Sequence, residues 1–160
     1  MRLPALTVIR DTREQKGWDF HPEEKVAGKI QVLGTEVGTL EAGDYSLKGY
    51  EDIIRIERKM GFRELFGNYS PVANRERFER EMEKLRHIKY KYIIVESSLS
   101  DDLLGMAPPQ VQTGLPCNTV MKWLEELEVE YGISVKYAGP CGKRLARTIF
   151  EAVARAENGK

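Results

Sequence analysis

Asp44, Glu57 and Lys59 are the residues whose types and spacing most clearly carry chemistry. Gly43-Asp44-Tyr45 is followed, one short apolar run later, by Ile56-Glu57-Arg58-Lys59. Side chains alternate along a strand, so Glu57 and Lys59 share one face and Arg58 takes the other. A strand–turn–strand order then brings Asp44 beside Glu57, and two carboxylates converge with one ammonium. That set suits phosphodiester hydrolysis. Hard divalent cations are held by one or two carboxylates together with waters and phosphate oxygens. Such an ion polarises a phosphoryl oxygen and acidifies a water. A neighbouring lysine orients the water or neutralises charge growing on the phosphate. Asp11 and Glu14 follow an earlier apolar run and are candidates for a second ligand set or for holding the attacking water. A lone Glu-x-Lys is ordinarily a solvated pair at a strand edge. Here Ile56 places Glu57 at the end of an apolar strand, and a second acidic cluster follows another.

The elements that must position these groups are legible from periodicity. Ala5 to Arg10 is a β-branched run, read as a strand whose C-terminal end carries Asp11-Thr12-Arg13-Glu14. Trp18 to Lys25 reads as a loop. Lys29 to Leu47 alternates valines and leucines between Gly34, Gly38 and Gly43, which predicts two or three short strands joined by tight turns. Ile53 to Ile56 predicts the strand that runs into Glu57-Arg58-Lys59. Phe62 to Phe66 starts a helical stretch, and Phe78, Met82 and Leu85 mark a helix over Asn74 to His87. Tyr90 to Glu96 is a strongly apolar strand. Asp101 to Met106 reads as a short helix and the proline-rich Ala107 to Pro116 as a loop. Asn118 is placed to cap a helix with Val120, Trp123, Leu124 and Leu127 on its apolar face. Ile133 to Tyr137 and Gly142 to Ala156 complete the chain as strand and helix. Helices alternating with strands around one mixed central sheet make the expected class α/β.

With 160 residues the chain is expected to be a single domain, 1–160. No apolar run is long enough to span a bilayer and no signal segment opens the sequence, so the expected location is intracellular, away from membranes. Cys117 and Cys141 are too few for a disulfide framework and too isolated for a zinc site. The formal net charge is zero, which counts mildly against tight nonspecific DNA affinity but leaves room for a local basic face.

Asp11-Thr12-Arg13-Glu14, Gly43-Asp44-Tyr45 and Ile56-Glu57-Arg58-Lys59, in this order and at this spacing, resemble the three signatures of the XPF-type nuclease domain. That domain belongs to the restriction-endonuclease-like, PD-(D/E)XK superfamily. The clear match runs from about Thr7 to Glu96, and Tyr92-Ile93-Ile94-Val95-Glu96 resembles a core strand of the fold. The resemblance implies an Mg²⁺- or Mn²⁺-dependent endonuclease that cuts branched or flapped DNA and leaves a 5′-phosphate. It implies Asp44 and Glu57 as metal ligands, with Asp11 a further candidate, and Lys59 as the catalytic lysine. Asp11 and Glu14 would be supporting acids, and Arg13 and Arg58 would contact phosphate or fix the carboxylates. A homodimer would be typical of the family. The sequence departs from the pattern at Arg63, where the family commonly carries an acid four residues past the lysine; Glu64 stands next to it. The expected form is a stand-alone one, without the helix-hairpin-helix module that cellular members carry. Two rival readings stay open: an inactive XPF-like module that binds DNA or a partner, and a same-superfamily nuclease acting on ordinary duplex DNA.

Other charged groups divide between plain and functional readings. Arg75 to Lys91 is rich in cations interleaved with glutamates, which fits a solvated helix face or one that tracks phosphates. Lys143, Arg144 and Arg147 open the last helix, where cations oppose the helix dipole. They fit either exposed arginines tolerating a small penalty or a phosphate-binding end, and they join Arg13 and Arg58 as candidate DNA-binding residues. His21 and His87 have no partner in sequence, and Trp18 and Trp123 fit packing better than base stacking.

Overall fold

The computed structural model describes residues 5–22, 32–98 and 117–159. The expected short helix at Asp101 to Met106 and the loop at Ala107 to Pro116 lie outside them. Strands β1 (Leu6–Asp11), β2 (Val32–Gly38), β3 (Tyr45–Leu47), β4 (Ile54–Lys59), β5 (Tyr90–Val95) and β6 (Ser134–Tyr137) form one sheet in the order β2-β1-β3-β4-β5-β6. Helices α1 (Phe62–Tyr69), α2 (Val72–Lys84), α3 (Cys117–Tyr131) and α4 (Gly142–Asn158) cover it. β3 runs antiparallel to both β1 and β4, while β1–β2, β4–β5 and β5–β6 are parallel. The architecture is a mixed α/β sheet flanked by helices.

Alternation along the strands decides what each face buries. Ile54 and Ile56 of β4 join Val8, Tyr45, Leu47 and Ile94 under Ala146, Phe150 and Val153 of α4. The opposite face carries Ile93 and Val95 and packs against Phe62 and Leu65 of α1, Phe78 and Met82 of α2, and Val120, Trp123, Leu124 and Leu127 of α3. Each fully buried isoleucine contributes about 1.5–3 kcal/mol through removal of its surface from water.

Two expectations are corrected. The stretch from Lys29 to Leu47 holds two of the expected short strands, β2 and β3, but no tight turn pairs them: they lie on opposite sides of β1. Parallel pairing of β1 with β2 demands a long return between them, and this leaves the other side of β1 for the β3–β4 hairpin. Helix α3 starts at Cys117, so Asn118 sits in the first turn instead of capping it. Among the described residues no helix is long and apolar enough to cross a membrane.

Candidate active site

The site is built on one row across the sheet. Arg10 pairs with Tyr45 and Tyr45 with Ile56. One step further along each strand, Asp11, Asp44 and Glu57 follow one another from β1 to β4. Two backbone bonds hold this row: Asp11 N–H to the Asp44 carbonyl at 2.8 Å, and Asp44 N–H to the Ile56 carbonyl at 2.8 Å. Gly43, with φ of +85°, makes the turn that delivers Asp44 and packs against Arg55. A Cβ-bearing residue would be strained in that conformation. Arg55 braces the same turn by donating from Nη1 to the Ala42 carbonyl at 2.7 Å.

The acids differ in their surroundings. Asp11 is buried, and its carboxylate accepts the Arg13 N–H at 3.0 Å, Arg13 Nε at 2.7 Å and the Leu40 N–H at 2.9 Å. Burial alone would raise its pKa, but these donors together hold it below the usual carboxylate value. Asp44 accepts the Arg58 N–H on Oδ2 at 2.7 Å. Burial is the main influence on it and raises its pKa, against that hydrogen bond and the nearby Lys59. Glu57 is pushed up to about 8, first by burial and next by the charge of Asp44. Glu14 is also raised, by burial and again by Asp44.

Lys59 supplies the ammonium. It is buried, with Nζ 3.3 Å from Glu57 Oε1, 3.5 Å from Glu64 Oε1 and 5.1 Å from the centre of the Phe78 ring. Burial disfavours its charge, but Glu57, Glu64 and Asp44 outweigh this and raise its pKa. Glu64 also accepts the Met60 N–H at 3.0 Å, which ties α1 to the end of β4. The acid that the sequence shifts by one position therefore faces the lysine, because the helix turns Glu64 back over its own start. Glu14, Lys16, Arg58, Met60 and Glu64 line a cleft of about 390 Å³.

Arg58 points to the other face, as alternation requires. Its Nε donates to Glu96 Oε1, its Nη1 donates to the Lys16 carbonyl at 2.9 Å, and its guanidinium lies 4.9 Å from the centre of the Trp18 ring. Trp18 stacks on Tyr45 with ring centres 4.8 Å apart, and its N–H donates to the Tyr45 hydroxyl at 2.7 Å. Glu96 was not among the expected site residues. Its signal was an acid directly after an apolar strand, the same context as Glu57.

The remaining candidates lie elsewhere. Lys143 and Arg144 are exposed at the start of α4, beside a cavity of about 580 Å³ that His21 and Cys141 also line. Arg147 is buried, donating to the Val32 carbonyl at 2.8 Å and the His21 carbonyl at 2.5 Å. In the charged stretch of α2 and beyond, Lys84 pairs with Glu81, and Arg86 with Glu83 and Glu130. Trp18 and Trp123 are both buried in the cores.

Among the described residues no three histidines, cysteines or acids close into a ready-made metal cage. The donor set nevertheless fits a hard cation. Glu14, Asp44, Glu57 and Glu64 crowd one ammonium, and Asp44 and Glu57 raise the cost of each other's charge. Two carboxylates completed by water and phosphate oxygens are an ordinary magnesium set.

No family model matches the chain, and no curated protein matches it by sequence. Among solved structures it is similar to XPF from Aeropyrum pernix, at 21% identity and a TM-score of 0.55, over 95% of this chain and 65% of that one. It is similar also to XPF from Aeropyrum pernix in complex with DNA, at the same identity and TM-score, over 96% of this chain. The chain thus spans 65% of the length of those proteins. At this identity the likeness shows the fold alone: over 95% of the chain the mixed α/β architecture is similar to that of XPF from Aeropyrum pernix.

Proposed function

We propose that the chain is a divalent-cation-dependent DNA endonuclease acting at branched or flapped junctions. The observation that carries this reading is the row Asp11–Asp44–Glu57 with the Lys59 ammonium 3.3 Å from Glu57. The solved complex of the similar XPF with DNA supports the choice of DNA as substrate.

Asp44 and Glu57 would hold the ion, Mg²⁺ or Mn²⁺. When bound it supplies Lewis acidity and an acidified water. Asp11 accepts from three donors, fixes the end of β1 and the Arg13 side chain, and keeps an open site on Oδ1 as the further candidate ligand. Lys59, beside Glu57, would donate to the attacked phosphate or to the attacking water and stabilise charge as it develops. Glu14, at the cleft, is placed to orient that water. Burial around Lys59 and Glu57 strengthens each of these interactions relative to bulk water.

The test is cleavage of labelled flap, fork and blunt duplex DNA with Mg²⁺, Mn²⁺ or EDTA, beside Glu57→Ala. Metal-dependent cutting near the junction, lost in the variant, is the expected result. Equal cutting of flap and blunt duplex would move the substrate to ordinary DNA. Well-folded protein that cuts nothing would replace this reading with that of a binding module.

A further inference from the structure

The 12–18 segment carries Glu14, and its far end, Lys16 to Trp18, is fastened by Arg58 and Glu96. Arg58 and Glu96 form an ion pair in which both side chains are about 15% exposed or less. Glu96 uses both oxygens: Oε1 accepts Arg58 Nε, and Oε2 accepts Trp18 Nε1 at 3.4 Å. Arg58 in turn reaches the Lys16 carbonyl at 2.9 Å. The Glu96 backbone is fixed as well, donating its N–H to the Lys59 carbonyl at 2.7 Å. One carboxylate therefore connects β4, β5 and the segment that bears Glu14.

Close packing shows that this arrangement leaves little play. A side chain at Gly17 would overlap Arg10, Tyr45 and Glu14. A Cβ at Gly142 would come within 2.9 Å of Glu96 Cγ and 3.0 Å of Trp18 Cζ2. Two glycines thus let the segment and the start of α4 close on the pair from either side. At the near end of the segment, Glu14 donates its N–H to the Asp11 carbonyl at 3.0 Å, which ties its backbone to the end of β1.

We propose that Glu96 is a positioning residue: through Arg58 and Trp18 it holds the 12–18 segment on the sheet and thereby keeps Glu14 in the cleft that it lines with Glu64, the partner of Lys59. Glu96 touches no reacting group in this scheme. A buried ion pair of this kind is weak evidence for stability; its effect here is on where Glu14 stands. The inference rests on the proposed nuclease reading only for its catalytic consequence, since the fastening itself is read without cleavage.

The experiment uses Glu96→Gln, with Arg58→Lys as a second route to the same loosening, each alone and combined with Glu14→Gln. Hydrogen exchange over residues 12–18 reads the fastening directly. Exchange there is expected to speed up at least tenfold in Glu96→Gln and Arg58→Lys, with α2 and α3 unchanged. Unchanged exchange in that segment would overturn the proposal. Flap cleavage reads the consequence. Glu96→Gln should lower kcat about tenfold in the parent and less than twofold in the Glu14→Gln background, because residues that act through one group are not additive. Equal losses in both backgrounds would overturn the link to Glu14. If the parent itself cuts no DNA, the nuclease reading falls, while the exchange result still decides the fastening.

Discussion

Asp44 Oδ2 accepts the backbone N–H of Arg58 at 2.7 Å, so the carboxylate that ends one arm of the hairpin is bonded to the middle of Glu57-Arg58-Lys59 on the other. This bond orients Asp44 without using a side chain of the site. It leaves the second oxygen of Asp44 for a ligand, and it explains why Asp44 and Glu57 repel each other instead of swinging apart. Replacing Asp44 by Asn should abolish metal-dependent cutting. It should also release Glu57 from its nearest negative charge and bring its pKa down from about 8 towards the ordinary carboxylate range. Carboxyl-carbon NMR titration of Glu57 in both proteins checks this; an unmoved Glu57 would show that burial alone sets its value.

Stability should depend on pH in a direction set by the same residue. Glu57 ionises at about 8 in the folded chain against an ordinary 4.5, so between those values the native state keeps a proton that the unfolded state has lost. Rising pH then favours unfolding across that window; the contribution of Glu57 is complete below the lower value and gone above the upper one. Asp44, also raised, adds in the same direction from a lower start. Tm measured in EDTA should fall between about pH 5 and pH 8, and the fall should shrink in Glu57→Gln. Saturating Mg²⁺ should restore most at the high-pH end, because it binds the ionised carboxylates. A Tm independent of pH in EDTA would contradict the crowding of acids described above.

Lys59→Met should separate rate from binding. The ammonium is held by Glu57 and Glu64, and its loss removes the cation that bridges them. Cleavage should fall by roughly 10²–10³, the scale of removing one preorganised electrostatic donor. Mn²⁺ affinity should hold or rise, since one competing positive charge is gone. Single-turnover cleavage and calorimetric metal titration measure the two effects. Parallel losses in both would place Lys59 in holding the ion instead of in the chemical step.

The cations at the start of α4 should divide. Lys143→Ala with Arg144→Ala changes two exposed side chains, and should weaken DNA binding and flatten its salt dependence. Arg147→Ala should instead lower stability by about 2–4 kcal/mol, because it strips the Val32 and His21 carbonyls of buried donors. Salt-dependent DNA binding and urea unfolding check the pair. Binding by the double variant that matches the parent at every salt concentration would remove this helix end from the DNA-facing surface.

The sequence makes the row of acids legible because alternation is a local rule. Ile54 and Ile56 announce which face of β4 is apolar, and Glu57 and Lys59 then have to share the other. The hairpin that brings Asp44 to Glu57 follows from Gly43 and the short spacing between the motifs. The path of β2 was not legible, since nothing in its valines distinguishes pairing beside β1 from pairing beside β3. Glu64 was visible only as a departure at Arg63; the helical turn that faces it to Lys59 depends on where α1 starts, and boundaries are the weakest part of any sequence reading. Glu96 was hidden for a different reason. Its partners Arg58 and Trp18 are 38 and 78 residues away, and no periodicity within one element reports a contact across that separation.

The pairing of Tyr45 with Ile56 has a consequence for how this chain can change over generations. Length is not equally tolerated along the hairpin. Residues added in the far turn, between Leu47 and Ile54, leave the parity of β4 intact and the same side chains on each face. A single residue inserted between Ile56 and Glu57 reverses that parity: Glu57 and Lys59 would turn to the face under α4, and Arg58 to the face under α1, α2 and α3. The lineage can therefore drift in turn length and in most surface residues, while the count of residues from Asp44 to Lys59 along the strands behaves as a reading frame.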